Sequence, residues 1–383
     1  MIKFRDAIFQ RLFALVALFA GLGIFLELKG LFLKNGIVPF FNLQKQIYGL
    51  QGFWKLPSLF VFNASDFFIY LILGVMMAAL LALASDSIRN RFVRAALVFV
   101  FYITYISFVN FGSPFMSFQW DALILETAFL LCVYLFLSQD DELAKINIWL
   151  FRILVFKLML MSGLVKLFSG DKVWLDFSAL KYHYFTQPLP NPLAFFIHQL
   201  PSWFHKLSCV LMFVIELVLP FFIFCGKKLR EIAAWVFIAL MLIIFLTGNY
   251  GFFNLLTMVL CFSLLDFETR ETKTFSLHKS FKIISIVILT LYSLVSLSLI
   301  FSRTPVAKFF SAPVHIYYKT LGHFHICNPY GLFARMTKKR GEIVIQGAKL
   351  VPGQKTIDWK DYQFKYKPQD LRLFPMQIAP LQP

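Results

Sequence analysis

The stretch "SFQWDALILETAFLLCVYLFL" (residues 117–137) decides the fold. From Ala122 onward it is apolar over a length that fits the hydrocarbon core of a bilayer. Yet Gln119, Trp120 and Asp121 stand at its lip, and Glu126 lies inside it. A carboxylate within a membrane helix is costly, so it implies a bundle in which the charge faces a partner or a cavity. Eight further segments have the same apolar character, near 10–28, 66–84, 92–111, 147–169, 203–226, 231–248, 252–266 and 280–301. The segment at 252–266 is short, which leaves open a re-entrant path.

The whole chain agrees with that local reading. Of 383 residues, 59% are hydrophobic, 49 are Phe and only 15% are charged, against about 25% charged in soluble domains. The expected fold is an all-α polytopic membrane bundle of about nine transmembrane helices, residues 1–301. A small β-rich extramembrane domain follows at 302–383, suggested by the alternation in "EIVIQG" (342–347) and "YQFKYK" (362–367). Lys3, Arg5 and Arg11 before an apolar run look like the start of a signal peptide. The run continues to Leu28 with no small-residue cleavage site, so an uncleaved first helix is expected.

The net charge of +17 is distributed between the apolar runs and not on one patch, which argues against nucleic acid as a partner. Cys132, Cys209, Cys225 and Cys261 lie in apolar runs as small hydrophobic residues, and Cys327 stands alone in the tail. With the N-terminus cytoplasmic, the inner segments carry Lys3, Arg5, Arg11, Arg89, Arg91, Arg94, Lys145, Lys227, Lys228, Arg230, Arg270, Lys273 and Lys279. The outer ones carry Lys29, Lys34, Lys45, Lys55, Lys172 and Lys181. Basic residues favour the cytoplasmic side, so this orientation is preferred. Nine spans then put the tail outside, together with "NGIVPF" (35–40), "LPSLFVFNASD" (56–66), "GSPFMSFQWD" (112–121), the long loop 169–205 and "GNYGFFN" (248–254). The elaborate sequence gathers on the periplasmic or lumenal face.

Those same stretches carry a resemblance. "FMSFQWDALILETAFL" (115–130) is similar to a block of the lipase maturation factor family. The stretch from Gly163 to Lys206, with "HYFTQPLPNP" (183–192) at its core, resembles the long loop of that family. "IELVLPFFIF" (215–224), "TGNYGFFNLLTMVLCFSLLD" (247–266), "NPYGLFARMTKKRGEIVIQG" (328–347) and "WKDYQFKYKP" (359–368) follow in the family's order. The resemblance implies a membrane protein that helps exported, lipase-like clients fold and assemble. Animal members reside in the endoplasmic reticulum, and their lumenal C-terminal domain contacts the lipase. It marks Gln119, Trp120, Asp121, Glu126, His183, Tyr184, Gln187, Pro188, Pro190, Asn249 and Asn254 as outer-face motif residues. The family's C-terminal domain continues past the Pro-rich stretch, whereas this chain stops at "APLQP" (379–383), so a shortened domain is expected. The compact N-terminus, short loops and a tail without N-glycosylation sites suggest a bacterial inner-membrane protein, or one of the endoplasmic reticulum membrane if eukaryotic.

Charges inside the spans need partners. Arg152, near an inner end, can snorkel. Matching the others by depth at ~1.5 Å per residue pairs Glu126 with Lys166 and Glu216 with Lys157. These pairs fix helix register on one reading. On the alternative, Lys157 or Lys166 is a desolvated base in a membrane-embedded enzyme of the vitamin K-dependent carboxylase-like type. Prolines at 188, 190 and 192 make the surroundings of His183 a rigid extended loop. His323, His325 and Cys327 alternate, with His315 nearby, but the spacing is too weak to assign a metal. No hydrolase nucleophile elbow or zinc-protease motif is present, and no cofactor is expected. Trp54, Trp120, Trp174 and Trp203 fit an outer interfacial belt. The expected partners are membrane lipid and a lipase-like client protein.

Overall fold

The computed structural model describes residues 4–85, 87–265, 278–348, 358–364, 366–369 and 373–381. In chain order its apolar helices are α1 (Phe4–Leu31), α2 (Asp66–Ala84), α3 (Arg91–Phe111), α4 (Gln119–Leu137), α5 (Asp141–Leu167), α6 (Ser202–Leu217), α7 (Lys227–Thr247), α8 (Phe253–Cys261) and α9 (His278–Phe301). Among the described residues, eight of these segments are long and apolar enough to cross a membrane, and α8 is shorter. The protein is an integral multi-pass membrane protein with an all-α bundle.

Local chemistry sets the helix ends. Asn90 caps α3 through the Phe92 and Val93 amides, and Asp140 caps α5 through the Leu143 amide. Pro220 cannot donate a backbone hydrogen bond, and α6 gives way there to a 3-10 stretch, Leu219–Phe224, which completes its span. α8 also ends in a 3-10 turn, Phe262–Leu264, whose larger rise per residue stretches a short segment. Arg230 Nε, in the first turn of α7, donates to the Leu264 carbonyl at 3.1 Å. α8 and its extension therefore bring the chain back from the end of α7 to the level of its start. A re-entrant hairpin does not have this geometry.

α5 is the central strut, packed against α4, α6, α8 and α9. α4 has buried residues around its whole circumference, from Asp121 to Leu137. By contrast α7 and α9 leave Trp235, Ile243, Ile283 and Leu291 exposed, as lipid-facing helices do.

The loops after α1, α3, α5 and α7 lie at the same end of the bundle as the tail. There α10 (Ser311–Thr320) follows α9, and the chain then turns back into the bundle through residues 322–336. The alternation at 342–347 yields a strand only at its end: β1 (Gln346–Gly347) pairs antiparallel with β2 (Lys360–Asp361). Tyr362 N still donates to the Ile345 carbonyl at 2.8 Å, and residues 363–364 of the second alternating stretch lie beyond that ladder.

Three expectations need correction. The loop around His183 is not extended throughout. Residues Ala179–Thr186 and Pro192–His198 are short helices, and Gln187 turns extended before Pro188 while Pro192 starts the next helix. Arg152 does not snorkel; it is buried, donates to the Ser263 carbonyl at 3.1 Å and covers the Trp149 ring. Trp174 is no interfacial residue, being 1% exposed with its Nε1 on the Phe333 carbonyl at 3.0 Å. Lys3, Arg270 and Lys273 of the charge pattern lie outside the described residues.

Candidate functional site

Two turns into α4, Glu126 has no exposed surface. Its Oε1 accepts from Lys157 Nζ at 2.5 Å and from the Tyr292 hydroxyl of α9. Its Oε2 accepts from the Asn328 amide at 2.8 Å, Asn328 Nδ2 at 3.2 Å and the Tyr330 hydroxyl at 2.7 Å. Five donors fill the lone-pair sites of one carboxylate. Three of them come from the tail, so the C-terminal segment closes a site begun by α4, α5 and α9.

Lys157 is also fully buried. Beyond Glu126 its ammonium lies 3.1 Å from Cys327 Sγ and 5.3 Å from the ring centres of both Tyr292 and Tyr330. Cys327 itself is buried; burial pushes its thiol up to about 11, with Lys157 pulling the other way, so it stays protonated at neutral pH. The Tyr317 hydroxyl of α10 donates to the Cys327 carbonyl at 2.6 Å and accepts from its amide at 2.9 Å.

The second pair is Lys166 with Glu216, at 2.7 Å, with Lys166 also donating to the Ser162 carbonyl and lying over the Trp174 ring. The partners are thus exchanged relative to the depth estimate, which joined Glu126 to Lys166 and Glu216 to Lys157. Helix geometry gives the reason. Positions 157 and 166 are nine residues apart, or about two and a half turns, so they face opposite sides of α5. Lys157 looks at α4 and Lys166 at α6, whatever their depth.

The lip residues bind the same incoming segment. Gln119 forms a reciprocal amide pair with Gly331, its Nε2 donating to the carbonyl at 3.1 Å and its Oε1 accepting the amide at 3.0 Å. Gly331 has φ +134°, and a Cβ there would meet Val165 Cγ1 at 2.7 Å, so the close approach requires glycine. Asp121 accepts from the Tyr105 hydroxyl at 2.6 Å and from the Phe118 amide at 3.2 Å, at the start of α4 where a carboxylate is favoured. Trp120 stacks on Phe118 with ring centres 4.6 Å apart.

Further contacts pin the rest of the tail to the loops. Asn249 is a hub: Nδ2 donates to the Leu189 and Met376 carbonyls, and Oδ1 accepts the Ile378 and Ala379 amides. Arg340 donates to the carbonyls of Phe185, Gln187 and Pro188, and Asp171 accepts the Met336 amide at 2.8 Å. Gln187 accepts from the Tyr250 hydroxyl at 2.6 Å, and that hydroxyl lies 3.1 Å from His183 Nε2. Pro190 and Tyr184 line a cavity of about 1040 Å³ between this loop and the tail, with Phe195, Tyr362 and Phe374 on its other walls. Asn254 is 1% exposed, and its amide finds no partner among the described residues. His323, His325 and Cys327 do not converge, since Cys327 turns to Lys157 and Ser296 while His325 turns to Asn110 and Asn328.

His183 supplies a pH test. Desolvation, and then the Lys166 cation, push it down to about 4. Between about pH 6.5, where an unfolded His titrates, and pH 4, the unfolded chain binds a proton that the folded chain refuses. Stability is therefore expected to fall with pH across that window and to be independent of this group above it. Thermal melting of a His183→Gln protein in detergent should show a shallower acid slope than the parent.

Tyr292, Tyr317, Asn328 and Tyr330 complete the site and were not among the residues expected from sequence. The "NPYG" block (328–331) was a usable signal, because it recurs in the resemblance. Tyr292 offers none beyond being a hydroxyl in an apolar span.

Residues 4–272 match the family model described as lipase maturation factor transmembrane domain, and residues 326–383 match the lipase maturation factor C-terminal domain. The chain is 37% identical over 307 residues to lipase maturation factor 2 of Xenopus tropicalis, an alignment covering 74% of this chain and 42% of that protein. It is 32% identical over 308 residues to lipase maturation factor 1 of Mus musculus, covering 72% and 53%. Lipase maturation factor 1 of Homo sapiens is likewise 32% identical, over 301 residues, covering 72% and 53%. The chain spans about half the length of the curated relatives it matches. No solved structure matches it.

Proposed function

This chain belongs to the lipase maturation factor family, and from that premise we propose that it is an assembly factor whose outer face helps exported, lipase-like proteins reach their active fold. The observation that carries the reading is the construction of that face. Asn249, Arg340, Asp171 and Gln119 each bind backbone groups of a distant segment, so loops and tail form one continuous surface on the bundle. A surface built on rigid helices presents fixed contacts to a client, which is what assisted folding requires. Exposed apolar groups on it, including Ile343, Trp359, Tyr362 and Phe374, suit a partner that has not yet buried its own core.

In this reading the tail lies on the periplasmic or lumenal side, in line with the basic residues at the opposite end. Lys157 and Lys166 serve as structural charges, each already held by a carboxylate. Deleting the gene is expected to lower the specific activity of a secreted lipase, with total secreted lipase protein reduced less than activity. A Trp359→Ser, Phe374→Ser protein should reach the membrane at normal levels and fail to restore that activity. Unchanged specific activity in every exported lipase would sink the proposal.

A further inference from the structure

Far from the outer face, where α1, α4, α5 and the end of α8 meet, the bundle encloses a small, mostly apolar gap with two polar residues on its wall. Phe9, Leu131, Tyr134, Ile148, Phe151 and Phe262 form most of its wall, and Gln10 and Ser263 supply the polar part. It offers about 10 Å³ of room for the centre of a water molecule, which is enough for one. Gln10 is fully buried. Its Oε1 accepts from Arg94 Nε, while its Nε2 has no partner among the described residues. Ser263 is 1% exposed, and its hydroxyl is likewise without a partner among them.

We propose that this gap is a binding site for a single ordered water that accepts from Gln10 Nε2 and exchanges a hydrogen bond with Ser263 Oγ. The chemistry selects the occupant. A cation would face the amide's donor hydrogens, and an acyl carbon would leave both polar groups unmet. Water can accept from the amide and either give to or take from the hydroxyl. Buried waters characteristically occupy such positions beside otherwise unsatisfied polar groups.

The site has a mechanical consequence. Arg94 of α3 binds Gln10 of α1 and the Leu83 carbonyl that ends α2. Arg152 of α5 binds the Ser263 carbonyl. One water between Gln10 and Ser263 joins these two clusters into a continuous polar chain across α2, α3, α1, α8 and α5. The weak point it bridges is the 3-10 turn that lets α8 span its short length.

X-ray radiolytic labelling with mass spectrometry tests this on the intact protein in lipid nanodiscs, because a bound water converts to hydroxyl radical in place. Tyr134 and Phe151, which line the gap, are expected to label several-fold faster than Phe101 and Phe237, all four being buried from bulk solvent. An experimental density map that resolves ordered water should show one peak between Gln10 and Ser263. A Gln10→Leu, Ser263→Val protein should bring the two labelling rates down to those of the controls. Equal rates in the parent protein, an empty gap in the map, or acyl-chain density within it would each overturn the proposal, and none of these readings depends on the variant folding.

Discussion

Glu126→Gln is expected to lower the yield of folded protein several-fold and to depress its melting temperature in detergent markedly. The substitution keeps the shape but removes the charge opposite Lys157, which is wholly buried. Leaving one member of a buried ion pair uncompensated costs about 3–5 kcal/mol, a large share of the 5–15 kcal/mol that holds typical proteins folded. The donors make it worse, because a neutral amide presents hydrogens to groups that are themselves donors. Double replacement reads out the pairing. Glu126→Gln with Lys157→Met should recover part of the loss, as should Glu216→Gln with Lys166→Met. Coupling energies of roughly 1–3 kcal/mol are expected in these two cycles, and additivity within about 0.5 kcal/mol in the crossed cycles. Strong coupling between Glu126 and Lys166 would reinstate the arrangement suggested by depth alone.

The second large effect concerns the tail. A chain ending at Phe301 is expected to be lost from the membrane, and not merely to lose contact with clients. Asn328 and Tyr330 supply three of the five hydrogen bonds to Glu126. Hydrogen bonds to a charged group are worth about 1.5–3 kcal/mol each, so their joint loss is on the order of 5 kcal/mol. Asn328→Ala with Tyr330→Phe should reproduce much of that instability with every other tail residue in place. Measured by membrane-inserted yield and melting, a stable bundle ending at Phe301 would show that the tail only rests on the outer face.

How legible this was from sequence differs by level. The spans were plain, because about 20 apolar residues have few other uses, and α8 was marked as short for the same reason. Glu126, Lys157, Lys166 and Glu216 stood out as charges in lipid, and all four are ion-paired. Their pairing was not readable, since depth along a helix says nothing of the side it faces; counting turns between 157 and 166 would have shown that the two lysines diverge. Trp174 was misplaced because loop residues between spans need not lie at an interface when the tail covers them. The donors from 328 and 330 lie some 200 positions from Glu126, beyond any local pattern. The family blocks marked both stretches without showing that they meet.

The closure of Glu126 by the tail sets an order of events in the cell. Chains emerge from the ribosome N-terminus first, at roughly 5–20 residues per second. Asn328 follows Glu126 by 202 positions, so the carboxylate and Lys157 wait roughly 10–40 s in the bilayer before their last partners exist. During that interval Glu126 and Lys157 hold only the partners that precede the tail, and the remaining donors arrive after the last apolar helix, α9, has been made. Assembly of this bundle therefore runs in two stages set by chain order, with the helices first and the tail's donors second.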